Sequence, residues 1–355
     1  MKKLINNAVL VVAAVVFTAG IIGCDQTNKT ALNLGNTNIR YTGTLRVCNL
    51  IEYIDLTTLM DFEKEFAIKI EYEEFDNNED LYNYISKHPD AYDVLILSDY
   101  TIDRLIQEGK VKKFEKSKVP NIANVAEEYL KPEYDINNDY VVPYMAGTVG
   151  ILYNKRRVTQ PIESWATLFD TQYSGKVFMM DNMRDSIGVV LQMLGFSMNS
   201  SNDNELAQAK SMLLAARSFA SFQNEIIIRD RMVAGEGVVG VIFSGEAKMA
   251  IDRNPDLDYV IPKEGAYKWV DGFVIMNGTQ QLEAAQNFIN FMCRPNIAVR
   301  NMTKIGYTSP IRGAWSEFGS NRIMFPAAEE LEHCEVLLYD PQATQKYVRL
   351  WSEVR

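Results

Sequence analysis

The chain has 355 residues, 47% of them hydrophobic, and its 46 acidic and 36 basic side chains give a formal charge of −10. That content suffices for one large or two medium domains, and the acidic balance disfavours nucleic acid, which is bound through basic faces. His88 and His333 are the only histidines and no HExxH or Walker A pattern occurs, which argues against a His-based triad, a His-rich metal site or ATP hydrolysis by this chain.

In chain order, Lys2 and Lys3 precede an uncharged run from Ala8 to Gly23, and Cys24 follows directly. A basic start, a short apolar run and small residues make a secretory signal, since a membrane span wants about 20 apolar residues. Ile21-Ile22-Gly23-Cys24 resembles the lipobox of bacterial lipoproteins. It implies removal of residues 1–23, acylation of Cys24 and an exported protein held on a bacterial membrane, facing the periplasm or the exterior. Without Lys2 and Lys3 the charge becomes −12. Asp25 to Tyr41 is rich in Asn and Thr and lacks periodicity, so residues 24–43 read as lipidated Cys24 and a flexible tether. Asp25 resembles a sorting signal for inner-membrane retention.

From Thr44 short apolar runs alternate with amphipathic stretches. Leu45 to Cys48, Ile68 to Tyr72 and Val94 to Leu97 read as strands. Each is followed by a helix, the first capped by Asp55 with Leu59, Phe62 and Phe66 inward, the second Asn78 to Lys87, the third Thr101 to Glu108 with its stop at Gly109. Three such units predict a parallel sheet covered on both faces, with ligand beyond the carboxyl ends of its strands. Further strands are expected at Val141 to Tyr153, Lys176 to Met180, Val238 to Phe243, Leu257 to Ile261 and Trp269 to Met276. Helices are expected at Ile162 to Phe169, Arg184 to Phe196, Asn204 to Ala216, Gly245 to Ile251 and Gln281 to Cys293. Pro295 opens another helix that Gly306 ends, and Asp340-Pro341 starts a last one reaching Val354. Cys48, Cys293 and Cys334 are far apart, in apolar or helical contexts, and read as buried structural thiols, with one disulfide as the alternative.

Aromatic rings stand beside carboxylates after one strand after another: Glu52-Tyr53, Asp99-Tyr100, Asp181 to Asp185, Phe243 with Glu246, and Trp269-Val270-Asp271. A primary ammonium on an alkyl chain needs that pair, a carboxylate for its charged hydrogen bond and a ring face over its methylenes.

Asn49 to Tyr53, Tyr92-Asp93 to Ser98-Asp99-Tyr100, and Asn137 to Tyr140 with Pro143-Tyr144 resemble the extracytoplasmic spermidine/putrescine-binding proteins of ABC importers. So do Tyr173 to Lys176, Pro262 to Gly265 with Trp269 to Asp271, and Ile289 to Phe291 with Arg294-Pro295. The resemblance implies an α/β periplasmic-binding-protein fold of type II, two lobes with a ligand cleft between them, lobe 1 taking 44–143 and 271–313 and lobe 2 taking 144–270 and 314–355. It implies capture of putrescine or spermidine by a monomer without cofactor, metal or catalysis, and delivery to an ABC permease whose ATPase is a separate chain. Carried over position by position, it assigns ligand contact to Tyr53, Ser98 and Tyr100, to which the aromatic-acid pattern adds Asp99. The resemblance assigns the same to Asp181 or Asn182, Asp185, Phe243, Trp269, Asp271, Tyr307 and Cys334. Leu50 and Phe243 stand where tryptophans are usual, Asn182 where an aspartate is, and Cys334 near a ligand-contacting glutamine, changes under which putrescine is expected to bind at least as well as spermidine. The alternatives are another organic cation or a ferric ion in the same fold, and a hydrolase using two cleft carboxylates.

Overall fold

The computed structural model describes residues 28–30 and 39–355. The signal, Cys24 and most of the tether lie outside the described residues. Asn28–Thr30, within the stretch read as tether, forms a short strand, β1. Three strand-helix units follow: β2 (Gly43–Leu50) with α1 (Leu56–Phe66), β3 (Ile68–Phe75) with α2 (Asn78–Lys87), and β4 (Val94–Leu97) with α3 (Asp99–Gln107). β1 runs antiparallel along the outer edge of β3. Asp55 caps α1 by accepting from the Thr57 amide at 2.9 Å, and Ala67 ends it in the left-handed region. Leu59 and Phe62 are fully buried and Phe66 stacks on Phe62. All four residues of β4 are buried, as a strand covered on both faces requires.

After the two-residue β5 (Val111–Lys112) and a run of short turns comes β6 (Val141–Asn154), fourteen residues long. The chain continues through β7 (Val177–Met180), α4 (Met183–Met193), α5 (Asp203–Ala216), β8 (Ala220–Gln223), α6 (Glu225–Val233), β9 (Val239–Phe243) and α7 (Ser244–Arg253). It ends with β10 (Leu257–Val260), β11 (Lys268–Met276), α8 (Leu282–Met292), α9 (Pro295–Ile305) and α10 (Pro341–Val354). Strands β3-β2-β4-β11-β6 form one half and β8-β7-β9-β6-β10 the other. Each half contains three parallel strands and a reversed strand beside them, so the same order occurs twice. The result is a type II arrangement of two α/β lobes with a cleft between them.

β6 and β11 join the halves. The first residues of β6 pair with β11, and Val149 to Tyr153 pair with β9. Their register shifts at Asp271/Gly272, where β6 carries one residue more, Tyr144. Such a bulge twists a strand and re-aims its side chains. A third segment crosses beside them, with the Ala146 amide donating to the Thr308 carbonyl at 2.8 Å.

Two expectations change. Ile162 to Phe169 is not an α-helix but a short 3-10 turn over Trp165–Phe169, fixed because the fully buried Trp165 donates its indole N–H to the Gly265 carbonyl. β8 and α6 occupy a stretch to which the sequence pattern assigns nothing. β8 is four half-buried residues, and the consecutive Ile226, Ile227 and Ile228 spread around α6 rather than marking one face. Cys48, Cys293 and Cys334 are free and buried, and burial pushes the Cys293 thiol up to about 12, which makes it inert.

Gly265 has φ +96°, and a Cβ there would meet the His333 carbonyl oxygen at 1.9 Å. Gly265→Ala is therefore expected to lower unfolding stability by roughly 2 kcal/mol or more, read by chemical denaturation; an unchanged midpoint would show that this turn relaxes freely.

Candidate functional site: the cavity between the lobes

The carboxyl ends of β2, β4, β7, β8 and β9 and the bulge of β11 face one cavity of about 480 Å³. Ten expected residues line it: Tyr53, Ser98, Tyr100, Asp181, Asn182, Asp185, Phe243, Trp269, Asp271 and Tyr307. Tyr53 sits in the turn after β2, whose chain passes through the left-handed Glu52 (φ 55°). The Tyr53 carbonyl accepts from Asn49 Nδ2 at 3.1 Å and from the Tyr144 hydroxyl at 2.9 Å, so the bulge residue of β6 fixes this loop.

One wall is a chain of edge-to-face rings. Phe243 meets Trp269 at 6.1 Å, Trp269 meets Tyr307 at 5.1 Å, and Tyr307 meets Tyr53 at 5.6 Å. Missing side chains set these positions. A Cβ on Gly147 would lie 2.6 Å from the Trp269 ring and one on Gly245 would lie 2.4 Å from the Tyr307 ring. The Phe243 ring takes the place expected of a tryptophan, and Leu50 also lines the cavity.

The other walls are acidic. Carboxylates of Glu52, Asp76, Asp181, Asp185, Glu225, Glu246 and Asp271 line the cavity, and Arg355 is the basic residue among the lining side chains. α4, α6 and α7 point their amino ends at this space, where partial positive charge would repel a cation. Asp185, Glu225 and Glu246 lie in those first turns and reverse the sign of the field. Asp185 and Asp271 are each 4% exposed, and one oxygen of each, Oδ1, has no hydrogen-bond partner within the protein. The Tyr53 hydroxyl and the Trp269 indole N–H are likewise buried and unpartnered.

These carboxyls resist ionisation. Burial pushes Asp271 up to about 7 against a pull back from the neighbouring Tyr53 and Ser98. Burial, with repulsion from Glu79 and Glu225, holds Asp185 well above the ordinary range although Arg184 opposes it. Glu246 is also raised to about 7 by burial, despite its ion pair with Arg229 at 2.8 Å. Arg229 reaches Glu52 of the other half at 3.5 Å, so one guanidinium spans the cleft. Among the described residues no group of three or more His, Cys, Asp or Glu is placed to hold a metal ion.

Asp99 and Cys334 lie outside the cavity, and their assignment to it is corrected. Asp99 turns back into the protein, accepting from the Tyr267 hydroxyl at 2.7 Å and from the Tyr100 amide at 2.8 Å. It thereby ties α3 to the strand bearing Asp271. Cys334 is buried on the far side of β6 and β11, with its thiol donating to the Glu330 carbonyl. Asn182 lines the cavity but spends its Oδ1 capping α4, while Asp181 beside it pairs with Arg355 at 3.0 Å. Glu225 and Arg229 were missed because α6 itself was. Glu246 is named in the sequence by its spacing from Phe243, whereas Tyr267 offers no such signal.

Residues 58–317 match the family model of bacterial extracellular solute-binding proteins. The chain belongs to that family. It is 30% identical over 311 residues to the spermidine/putrescine-binding periplasmic protein of Escherichia coli, covering 86% of this chain and 89% of the relative. A putative spermidine/putrescine ABC transporter protein from Listeria monocytogenes superposes with TM-score 0.84 at 32% identity, over 88% of this chain and 98% of that one. A spermidine/putrescine substrate-binding protein from Streptococcus pneumoniae gives TM-score 0.76 at 31% identity, over the same shares. Family members bind solutes for transport, and among the described residues of this one no helix is long and apolar enough to cross a membrane.

The raised carboxyls set a pH dependence. Asp271 and Glu246 keep protons in the folded, ligand-free protein up to about pH 7 that the unfolded chain loses near pH 4. Stability on this account is fully present below the unfolded value and is lost as pH rises through 7. The ligand-free protein is expected to melt at a higher temperature at pH 5.5 than at pH 8, and Asp271→Asn to recover roughly 2–4 kcal/mol at pH 8. Thermal scans in which the variant lost stability at pH 8 would refute the assignment.

Proposed function

We propose that this solute-binding protein captures polyamines, putrescine and spermidine, in the cavity between its lobes and hands them to an ABC permease driven by a separate ATPase. The observation that carries the reading is the pair of buried carboxylates, Asp271 and Asp185, each with an unpartnered oxygen facing an aromatic-walled cavity. A cation beside a carboxylate in such a place restores its charged form at neutral pH and below. Trp269, Tyr307 and Tyr53 offer ring faces and edges to an alkyl chain, and their packing supports an extended diamine rather than a compact ion. The names of the relatives described above agree with this ligand class.

In this reading one ammonium sits on Asp271, with the Tyr53 hydroxyl and Ser98 beside it, and the other on Asp185. Asn182, Tyr100 and Phe243 complete the contacts, while Asp181 lines the same wall in its ion pair with Arg355. Lobe 1 comprises 44–143 and 271–313, and lobe 2 comprises 144–270 and 314–355. Ligand bridging the two favours a closed form, which the permease recognises. The chain acts as a monomer and a binder, not an enzyme, and releases its ligand unchanged. It is exported and held on a membrane by acyl groups on Cys24, and Asn28–Thr30, paired on β3, begins the path from body to anchor.

Calorimetric titration of the purified protein at pH 8 is expected to give about one putrescine per chain, with spermidine bound no more tightly. Spermidine binding tenfold tighter would refute the preference, and no heat with either ligand would refute the polyamine reading. Asp271→Asn removes a charged hydrogen bond and is expected to weaken putrescine roughly ten- to hundredfold. Binding also expels the Asp271 proton, so the measured heat below pH 7 should vary with the ionisation enthalpy of the buffer; buffer-independent heat at pH 6 would show that this carboxyl is already ionised.

A further inference from the structure

The cavity contains carboxylates that its own cations already occupy. Glu246 is held by Arg229, and Glu225 lies in the field of the same guanidinium. Asp76 is exposed to solvent. Asp181, at the end of β7, accepts from Arg355 Nη2 at 3.0 Å, and both residues line the cavity. Glu52 is largely exposed and also faces Arg229, at 3.5 Å. Subtracting these five leaves Asp271 and Asp185, the two with buried, unpartnered oxygens.

We infer that Arg355 is a specificity residue: its guanidinium takes the Asp181 position as a built-in cation and matches the cavity to a ligand with two ammonium groups over one with three. The inference rests on the polyamine reading above and names the number of charges that reading accepts.

Both partners of the pair belong to the same half of the molecule. The Asp181 amide is fixed to the Gln223 carbonyl at 2.8 Å, so its carboxylate has a set place beside α4. Arg355 is borne by α10, whose Tyr347, Leu350, Trp351 and Val354 are buried. The helix is pinned further by the Tyr347 hydroxyl on the Ser200 carbonyl at 2.8 Å and by Arg217 Nε on the Val354 carbonyl at 3.1 Å. Lobe closure leaves such a pair intact. A third ammonium arriving at Asp181 therefore meets a guanidinium that repels it and cannot accept a hydrogen bond from it. The Arg355 side chain is 60% exposed, so the pair contributes little to folding and its loss does not threaten the fold.

The test compares the affinities of putrescine, with two ammonium groups, and spermidine, with three, in the unmodified protein and its variants. In Arg355→Ala the ratio of spermidine affinity to putrescine affinity is expected to rise about tenfold, the worth of one charged hydrogen bond. Arg355→Lys keeps the cation and should hold the ratio near the starting value. Adding Asp181→Asn to Arg355→Ala should remove the gain, because the freed carboxylate is what a third ammonium would use. A ratio within twofold of the starting value in Arg355→Ala, or a gain that persists without the Asp181 carboxylate, overturns the inference while leaving polyamine binding intact. An unmodified protein that binds neither ligand fails at the earlier step and takes this inference with it.

Discussion

Two carboxylates buried between two lobes, each with one oxygen that no protein group pairs, are the constraint on which the rest of this structure turns. An isolated ionised carboxyl removed from water is held at a cost of several kcal/mol unless something pairs with it. Asp271 answers by holding its proton up to about pH 7, and Asp185 is held well above the ordinary carboxyl range for the same reason. In the proposed reading, a cation of the right shape supplies what the two carboxylates lack. Ligand affinity, pH dependence and the stability of the empty protein are three readings of one electrostatic fact.

The fold exists to hold that fact in place. Parallel strands deliver their loops and helix amino ends to one side, which would ordinarily favour an anion. First-turn acids on α4, α6 and α7 overturn that preference. β6 and β11 run through both lobes, and the bulge between them does two things at once: it sets the register at Asp271 and inserts Tyr144, whose hydroxyl holds the Tyr53 loop. Gly147 and Gly245 then let Trp269 and Tyr307 approach closely enough to form one wall. Asp99, although outside the cavity, ties the amino end of α3 to the strand that bears Asp271. Geometry and charge are set by the same crossing strands.

Much of this was legible in the sequence because its signals are local. Asp55, Gly306 and Asp340-Pro341 mark helix ends by cap chemistry, and the structure puts the boundaries there. Aromatic-acid pairs after strands reveal the cavity for the same reason, since strand ends in such a sheet converge. What stayed hidden depends on partners distant in sequence. Asp99 looks like a ligand residue until Tyr267 is seen to donate to it from 168 positions away. Trp165 suggests a helix until its indole is found on Gly265, and α6 shows no clean face because its isoleucines are consecutive. Arg229 and Arg355, the cations that occupy part of the acidic lining, could not be found from pattern alone, because ion pairing between remote residues leaves no periodic trace.

The most direct measurement is a crystal structure of the protein with putrescine at pH 8. The account predicts one nitrogen on Asp271, the other on Asp185, the methylenes against Trp269 and Tyr307, and Arg355 still on Asp181. Putrescine bound elsewhere, or in this cavity with both nitrogens away from Asp271 and Asp185, would contradict it.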